Sequence, residues 1–112
     1  MSSPSQPDLR RDVEIIYIHG FNSSPDSLKA CFLTHYFEQR GWSKQLHVPA
    51  LSHWPEQATH QLESVIAGAE SRAASIGLIG SSLGGFYATW LSERHASIKA
   101  VLVNPAVAPH KL

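Results

Sequence analysis

Short apolar runs alternate along this chain with segments of helical periodicity, and this alternation limits the possible folds more than any other feature. Repeated strand–helix–strand units of this kind are typical of a parallel sheet covered by helices. The runs predict four strands, at Val13–Ile18, 45–48, 75–80 and 100–104. Strands one, three and four are apolar at nearly every position, as expected when helices cover both faces of the sheet. We therefore expect an α/β fold with a four-stranded parallel sheet and three helices.

Three segments have the spacing of apolar side chains that is expected of helices. The first follows Ser24 and Pro25, which suit a helix cap and a first turn, and it ends at Gly41. The second begins after Pro55, and the third runs from about Leu83 to His95. The predicted inward positions are Leu28, Cys31, Phe32 and Tyr36 in the first helix, Ala58, Leu62, Val65, Ile66, Ala69 and Ala73 in the second, and Leu83, Phe86, Tyr87, Trp90 and Leu91 in the third.

A glycine-rich segment, GSSLGGF, joins the third strand to the third helix. It fits the pattern GxSxG with Ser82 at the centre and Gly80 and Gly84 on either side. In a nucleophile elbow the serine occupies a sharp strand-to-helix turn, and its flanking residues are small because backbone segments pass close by. A Rossmann fingerprint needs glycine at position 82, and a P-loop needs a lysine that this segment lacks. Two other interpretations stay open: a turn that serves helix packing alone, and a phosphate site built from the backbone amides of residues 80–85.

The first strand ends in His19, Gly20 and Phe21. Acyl-transfer enzymes with a nucleophile elbow take one oxyanion-hole amide from the residue after the serine and another from the loop after an earlier strand. Here these would be the amides of Leu83 and Phe21. Both can face one carbonyl oxygen only if strands one and three are neighbours, which predicts the order 2-1-3-4. The switch point of such a sheet, where ligands bind in open parallel sheets, then lies between those two strands.

Composition excludes several classes of function. Nine basic and nine acidic residues cancel, so the chain has no electrostatic footprint for nucleic acid or an anionic membrane. Cys31 is the single cysteine, and no spacing of cysteines and histidines suggests a metal, so we expect no metal, no cofactor and a cytoplasmic location. No run reaches the roughly 18 apolar residues of a membrane span. Residues 1–11 are polar and are predicted to be a disordered tail, and residues 12–112 one partial domain.

Three segments together resemble the YqiA-type esterases of bacteria, a branch of the α/β-hydrolase superfamily: HGFNSSP (19–25), GSSLGGFYATWL (80–91) and NPAV (104–107). The resemblance implies a three-layer α/β-hydrolase core and hydrolysis of an ester or thioester through an acyl-enzyme. It assigns Ser82 as the nucleophile and the amides of Phe21 and Leu83 as the oxyanion donors. The motif residues that support this assignment are His19, Gly20, Gly80, Gly84 and Gly85. In this family the catalytic Asp and His follow later strands, beyond the NPAV segment.

Strand four is apolar on both faces, yet only eight residues follow Asn104, and two of them are prolines. We therefore expect further sequence, a partner chain or a second copy to cover strand four through Ala100, Val101, Leu102 and Val103. Of the histidines that follow Ser82, neither His95 nor His110 has an orienting Asp, and Glu93 is the only carboxylate there. We expect the 112-residue chain alone to be inactive or nearly so. The alternative is a non-catalytic binding module, or half of a split enzyme, that pairs through strand four.

Four further residues lie where they could shape or line the site. His19 is expected to organise the oxyanion loop through hydrogen bonds rather than to act as a base. Asn22 follows the same loop, and His53 and Trp54 follow strand two at the carboxyl edge of the sheet. These three are candidates for contact with a small acyl substrate, and the alternative for His53 and Trp54 is an ordinary solvent-facing loop.

Overall fold

The computed structural model describes residues 12–19, 28–72, 75–81 and 83–103. Within them the elements run in the order β1 (Val13–Ile18), α1 (Leu28–Gln39), a 3-10 turn (Ser43–Gln45), β2 (Leu46–His47), α2 (Pro55–Ser71), β3 (Ser75–Ser81), α3 (Leu83–Arg94) and β4 (Lys99–Val103). The predictions for residues 1–11, Ser24, Pro25, Ala73 and Asn104 lie outside the described residues, as do those for the side chains of Leu28 and Leu83. No helix of the described part is long and apolar enough to cross a membrane.

The four strands form one parallel sheet in the order β2-β1-β3-β4, which confirms the predicted topology. The chain steps from β1 to one side, to β2, and then returns past β1 to β3 and β4. Because crossover connections are right-handed, this reversal places α1 on one face of the sheet and α2 and α3 on the other. The side chains of Glu63 on α2 and His95 after α3 lie 2.6 Å apart, in agreement with a shared face.

The main core lies between the sheet and the pair α2 and α3. It contains alternate residues of β1 and β3, which share one face of the sheet by the strand period. Its fully or nearly fully buried members are Ile16, Ile18, Leu62, Ile66, Ala69, Ile76, Leu78, Ala88, Leu91 and Ile98. Four of the predicted positions of α2 are buried (Ala58, Leu62, Ile66 and Ala69), and Val65 packs at the edge of the core. The pattern therefore predicted the inward face of α2 correctly.

The prediction of which α1 residues face the core is wrong, because other residues of the helix are buried. Cys31 is exposed, Phe32 is 71% exposed and Tyr36 is 38% exposed, whereas Ala30 and Phe37 are buried. Thr34 fits the same inward stripe as Ala30 because its hydroxyl donates a 2.8 Å hydrogen bond to the Ala30 carbonyl, so the helix itself satisfies the polar group. The end of α1 was predicted correctly: Gly41 has a φ of +74°, the left-handed conformation in which glycine terminates a helix.

The inward face of α3 was predicted correctly at Leu91 and at Tyr87, which packs against the core, but not at Phe86 and Trp90. Phe86 is 50% exposed and Trp90 is 37% exposed, while Ala88 and Leu91 are fully buried. The small side chain of Ala88 lets α3 lie close to β3 and β1. Trp90 instead stacks with Arg94, whose guanidinium carbon is 4.6 Å from the ring centroid.

Strand β4 is the last strand of the described sheet. Val101 is 62% exposed and Leu102 is 43% exposed, and successive strand residues point to opposite faces. Apolar surface is therefore accessible on both faces of β4 in the described part of the chain.

Candidate active site

The carboxyl ends of β1 and β3 meet at the switch point of the sheet. These strands are neighbours, with Ile18 opposite Gly80, so that His19 and Ser81 leave the sheet at the same edge. Because β2 lies on one side of this pair and β4 on the other, the chain order reverses here. This is the place where open parallel sheets bind ligands.

The turn from β3 to α3 is confined by close backbone contacts at two glycines. A Cβ atom on Gly80 would lie 2.5 Å from the Gly84 carbonyl oxygen and 2.6 Å from the Gly85 Cα. A Cβ atom on Gly84 would lie 2.0 Å from the Ile18 carbonyl oxygen and 2.9 Å from that of His19. These distances leave no room for a side chain at either position. The first turn of α3 is thereby pressed against the end of β3 and against the point where β1 ends.

The two glycines flank position 82 at two residues on either side. Ser82 itself lies outside the described residues, as do Gly20, Phe21 and Asn22, so the predicted nucleophile and one predicted oxyanion amide remain predictions. Leu83, which would supply the other amide, is the first residue of α3. A backbone N–H at the first position of a helix has no partner within the helix, so it can be donated to a ligand.

His19 ties the end of β1 to the segment that follows β2. Its side chain is buried, with 6% exposure, and its Nε2 accepts a 3.2 Å hydrogen bond from the backbone N–H of Leu51. His19 therefore holds two loops together at the carboxyl edge of the sheet.

The β2–α2 loop, here residues 48–54, is further fixed by side chains of α2. The backbone N–H of Ser52 donates to Gln61 Oε1, and the Ser52 hydroxyl donates to Gln57 Oε1, both at 2.8 Å. Sequence patterns did not reveal this network, because both glutamines lie on exposed positions of an amphipathic helix. His53 and Trp54 are exposed at the end of this loop, and their role in substrate contact stays a prediction.

His95 is placed far from the elbow and is engaged elsewhere. It follows the 12-residue helix α3, whose length of about 18 Å separates it from Leu83. Its Nε2 lies 2.6 Å from Glu63 Oε1, and Arg94 approaches the other oxygen of Glu63 at 3.5 Å. His95 therefore braces α3 against α2.

The most strongly perturbed carboxyl group lies at the opposite end of the sheet. Glu14 Oε1 is 2.7 Å from Arg72 Nη2 and 2.5 Å from His47 Nε2, and Arg72 Nε donates to Oε2 at 2.8 Å. The hydrogen bonds from Arg72 outweigh the opposing effect of burial and, with help from His47, lower the pKa of Glu14 from 4.5 to about 2. The same pairing raises the pKa of Arg72. Four steps along the strand, about 13 Å, lead from Glu14 to Ile18, so this cluster is remote from the switch point.

Tyr87 is another described side chain whose burial changes its pKa. Burial raises the pKa of Tyr87, which packs beside the core on α3, so its hydroxyl stays neutral. Among the described residues, no three His, Cys, Asp or Glu side chains gather as metal ligands would.

Fold and site together define an α/β protein whose glycine-flanked strand-to-helix turn lies at the switch point of a parallel sheet. The sequence model of an uncharacterised protein family, UPF0227, matches residues 14–112. The chain belongs to this family, which is the YqiA-type family that its three motifs resemble.

Proposed function

We propose that this protein is a serine esterase in which Ser82 attacks the carbonyl carbon of an ester or thioester. The observation that carries the proposal is the pair of close contacts at Gly80 and Gly84, which exclude a Cβ atom on both sides of Ser82. Such crowding is the physical reason for the GxSxG pattern of a nucleophile elbow. A turn selected for helix packing alone would not need the serine at its centre.

The amides of Leu83 and Phe21 stabilise the oxyanion in this proposal. Support comes from the pairing of β1 with β3, because it brings the loop after Ile18 next to the start of α3. Each such donor is worth about 3 to 4 kcal/mol in the transition state. After the alcohol or thiol leaves, water attacks the acyl-enzyme and releases the acid.

The proposal assigns the general base and its orienting acid to residues outside the described part, elsewhere in the protein or in a partner. Among the described histidines, His95 is paired with Glu63 at the far end of α3. His19 uses Nε2 to accept a hydrogen bond from Leu51. Neither arrangement suits a residue that must take a proton from the Ser82 hydroxyl.

The test is covalent labelling of the protein, as its native gene encodes it, with a fluorophosphonate probe, together with hydrolysis of p-nitrophenyl acetate. We expect labelling of Ser82, no labelling of Ser82→Ala, and a fall in kcat of about 10⁶ in that variant. Ser81→Ala is the matched control, because Ser81 is the adjacent buried serine at the end of β3. The Ser81→Ala protein should still be labelled at Ser82. A folded protein that takes up no label, or a Ser82→Ala protein that still does, would overturn the proposal.

A second candidate is a non-catalytic module that associates through β4. The observation in its favour is the exposed apolar surface of Val101 and Leu102 at the last strand of the described sheet. Unpaired strand edges of this kind template pairing with another chain. This candidate predicts that Val101→Lys abolishes a dimer or complex seen by sedimentation, in a protein that takes up no label. A phosphate-binding turn, in contrast, predicts nucleotide affinity that survives Ser82→Ala.

A further inference from the structure

Trp54 occupies a position where local structure favours a different residue. It is the N-cap of α2, directly before Pro55 at the first helical position, and its side chain makes no capping hydrogen bond. Ser, Thr, Asp and Asn are preferred at an N-cap because their side chains accept a hydrogen bond from the first free amides of the helix. Trp54 instead leaves 70% of its surface exposed to solvent. Neither capping nor core packing therefore explains the indole, and departures from local rules of this kind are expected at functional positions.

The backbone that carries the indole is held in place. Trp54 precedes a proline and has the extended conformation that this requires, with φ −87° and ψ 119°. The backbone N–H of Trp54 donates to the Ser52 hydroxyl at 3.1 Å. The backbone carbonyl of Trp54 accepts the first hydrogen bond of the helix, from the Ala58 N–H at 2.9 Å. An exposed aromatic ring on a fixed backbone can bind a ligand with little loss of conformational entropy.

The same loop is attached to the candidate active site. Leu51 donates its N–H to His19, the residue that immediately follows β1 at the switch point. Two residues lie between Leu51 and Trp54, so their Cα atoms are three steps along the chain and at most about 11 Å apart. The side chain of Leu51 packs against the core, which anchors the loop from below. The backbone of Trp54 therefore lies at the same edge of the sheet as the ends of β1 and β3, in a loop that contacts His19.

We propose that Trp54 binds the acyl chain of the substrate and that the enzyme prefers apolar acyl groups of medium length to acetyl. This inference rests on the proposed function. The acyl group is transferred to Ser82 in the first chemical step and released to water in the second, whereas the alcohol departs in the first, so a fixed apolar contact assists both steps only if it holds the acyl chain. An indole face supplies a large apolar contact area, and the gain per buried CH₂ accumulates with chain length.

The kinetic test compares kcat/KM for p-nitrophenyl octanoate and p-nitrophenyl acetate. In Trp54→Ser the ratio of kcat/KM for octanoate to kcat/KM for acetate should fall about tenfold relative to the parent protein. The melting temperature should hold or rise, because serine is the better N-cap. Phe32→Ala is the matched control, since Phe32 is equally exposed, at 71%, on α1; it should leave the ratio within about twofold. An unchanged ratio in Trp54→Ser, or a fall in its melting temperature, would overturn the proposal.

A binding test separates this inference from the proposed catalysis. In Ser82→Ala, sodium octanoate should reduce iodide quenching of the tryptophan fluorescence at least about twofold, and the protected component should vanish when Trp54→Phe is added. Octanoate that protects no tryptophan, or that protects equally well in the double variant, would overturn the inference whether or not the protein hydrolyses esters. If octanoate protects Trp54 but Ser82 takes up no probe, the proposed catalysis fails and the apolar acid site stands.

Discussion

The two ends of the parallel sheet are built on different physical principles. At the amino end, a buried carboxylate, Glu14, is neutralised by Arg72 and His47 through three short contacts. At the carboxyl end, backbone is packed against backbone at Gly80 and Gly84, and His19 accepts a hydrogen bond from a backbone amide. One end is rich in charge, and the other is shaped by the absence of side chains.

This difference shows that the strongest pKa shift does not mark the candidate active site. Perturbed carboxyl groups often indicate catalytic residues, but structural ion pairs perturb pKa values as well. The pKa of Glu14 is lowered mainly by hydrogen bonds from Arg72, which hold the carboxylate ionised and fully engaged. A catalytic acid or base must change its protonation state near neutral pH, and Glu14 does not. The amino end therefore fastens β1 to α2 and β2, and the carboxyl end offers the open geometry.

The largest effect is expected at the carboxyl end, from Gly84→Ala. The new Cβ would lie 2.0 Å from the Ile18 carbonyl oxygen, so α3 or β1 must move. We expect the free energy of unfolding to fall by about 3 kcal/mol or more, and the labelling of Ser82 to be lost. Urea unfolding followed by circular dichroism measures the first, and probe labelling measures the second.

Gly68→Ala is the matched control for that prediction. A Cβ at Gly68, within α2, would meet only Arg72, at 3.6 Å, which is an ordinary contact. The exchange should stabilise the protein by about 0.5 to 1 kcal/mol, because alanine favours helix more than glycine does. A Gly84→Ala protein as stable as Gly68→Ala would show that the tight elbow does not exist.

The next largest effect is expected at the amino end, from Glu14→Gln. The pKa of Glu14 is lowered from 4.5 to about 2, which corresponds to about 3 kcal/mol, and we expect about 2 kcal/mol because Arg72 is half exposed and its charge is screened. A lowered carboxyl pKa contributes stability that is complete above pH 4.5 and is lost as the pH falls through about 2. The stability difference between parent and variant should therefore be largest at pH 7 and should shrink toward zero as the pH falls to 2.

Urea midpoints between pH 7 and pH 2.5 measure this dependence. Glu38→Gln, at an exposed position of α1, is the control and should change stability by less than about 0.5 kcal/mol. If the comparison of the two ends is correct, Glu14→Gln loses stability but still takes up the probe at Ser82. Loss of labelling in a folded Glu14→Gln protein would contradict the separation of the two ends.

Sequence patterns predicted the strands and their order well, because apolar runs bounded by turn residues are a local signal and because two oxyanion amides require β1 beside β3. They failed for the inward face of α1, and in α3 they identified Leu91 and Tyr87 correctly but not Phe86 and Trp90. In α3 the close approach to the sheet selects Ala88 and leaves Phe86 exposed. In α1 a threonine that satisfies its own hydroxyl lies on the inward stripe.

The side-chain networks could not be predicted from spacing. Glu14 meets His47 and Arg72, which are 33 and 58 residues away, and His19 meets Leu51 across 32 residues. Such pairs follow from the sheet order and from the lengths of the connections rather than from any local pattern. The one available signal was a carboxylate inside the apolar strand VEIIYI, since a buried charge requires a partner.

A smaller effect on stability is expected from His19→Ala, but this variant, unlike Glu14→Gln, should also slow the labelling of Ser82. The variant leaves the Leu51 N–H without its acceptor in a partly buried site, which should cost about 1.5 kcal/mol. Because His19 organises the loop beside the elbow, the rate of probe labelling should fall at least about tenfold, even in fully folded protein. His19→Gln, which can present an oxygen acceptor, should recover part of that rate. A His19→Ala protein that labels at the parent rate would remove His19 from the site.

The smallest effect is expected from His95→Gln, and it decides whether a described histidine takes part in catalysis. His95 and Glu63 are each about one quarter exposed, so their contact should contribute only about 0.5 to 1 kcal/mol to stability. Since α3 separates His95 from the elbow by about 18 Å, the probe should label Ser82 in the variant at the parent rate. Loss of labelling with stability nearly intact would make His95 a catalytic residue and would require α3 to adopt a different position. Retained labelling excludes His95 as the general base, and it makes the Glu63–His95 contact a brace between α2 and α3, comparable in kind to the Glu14 cluster at the amino end.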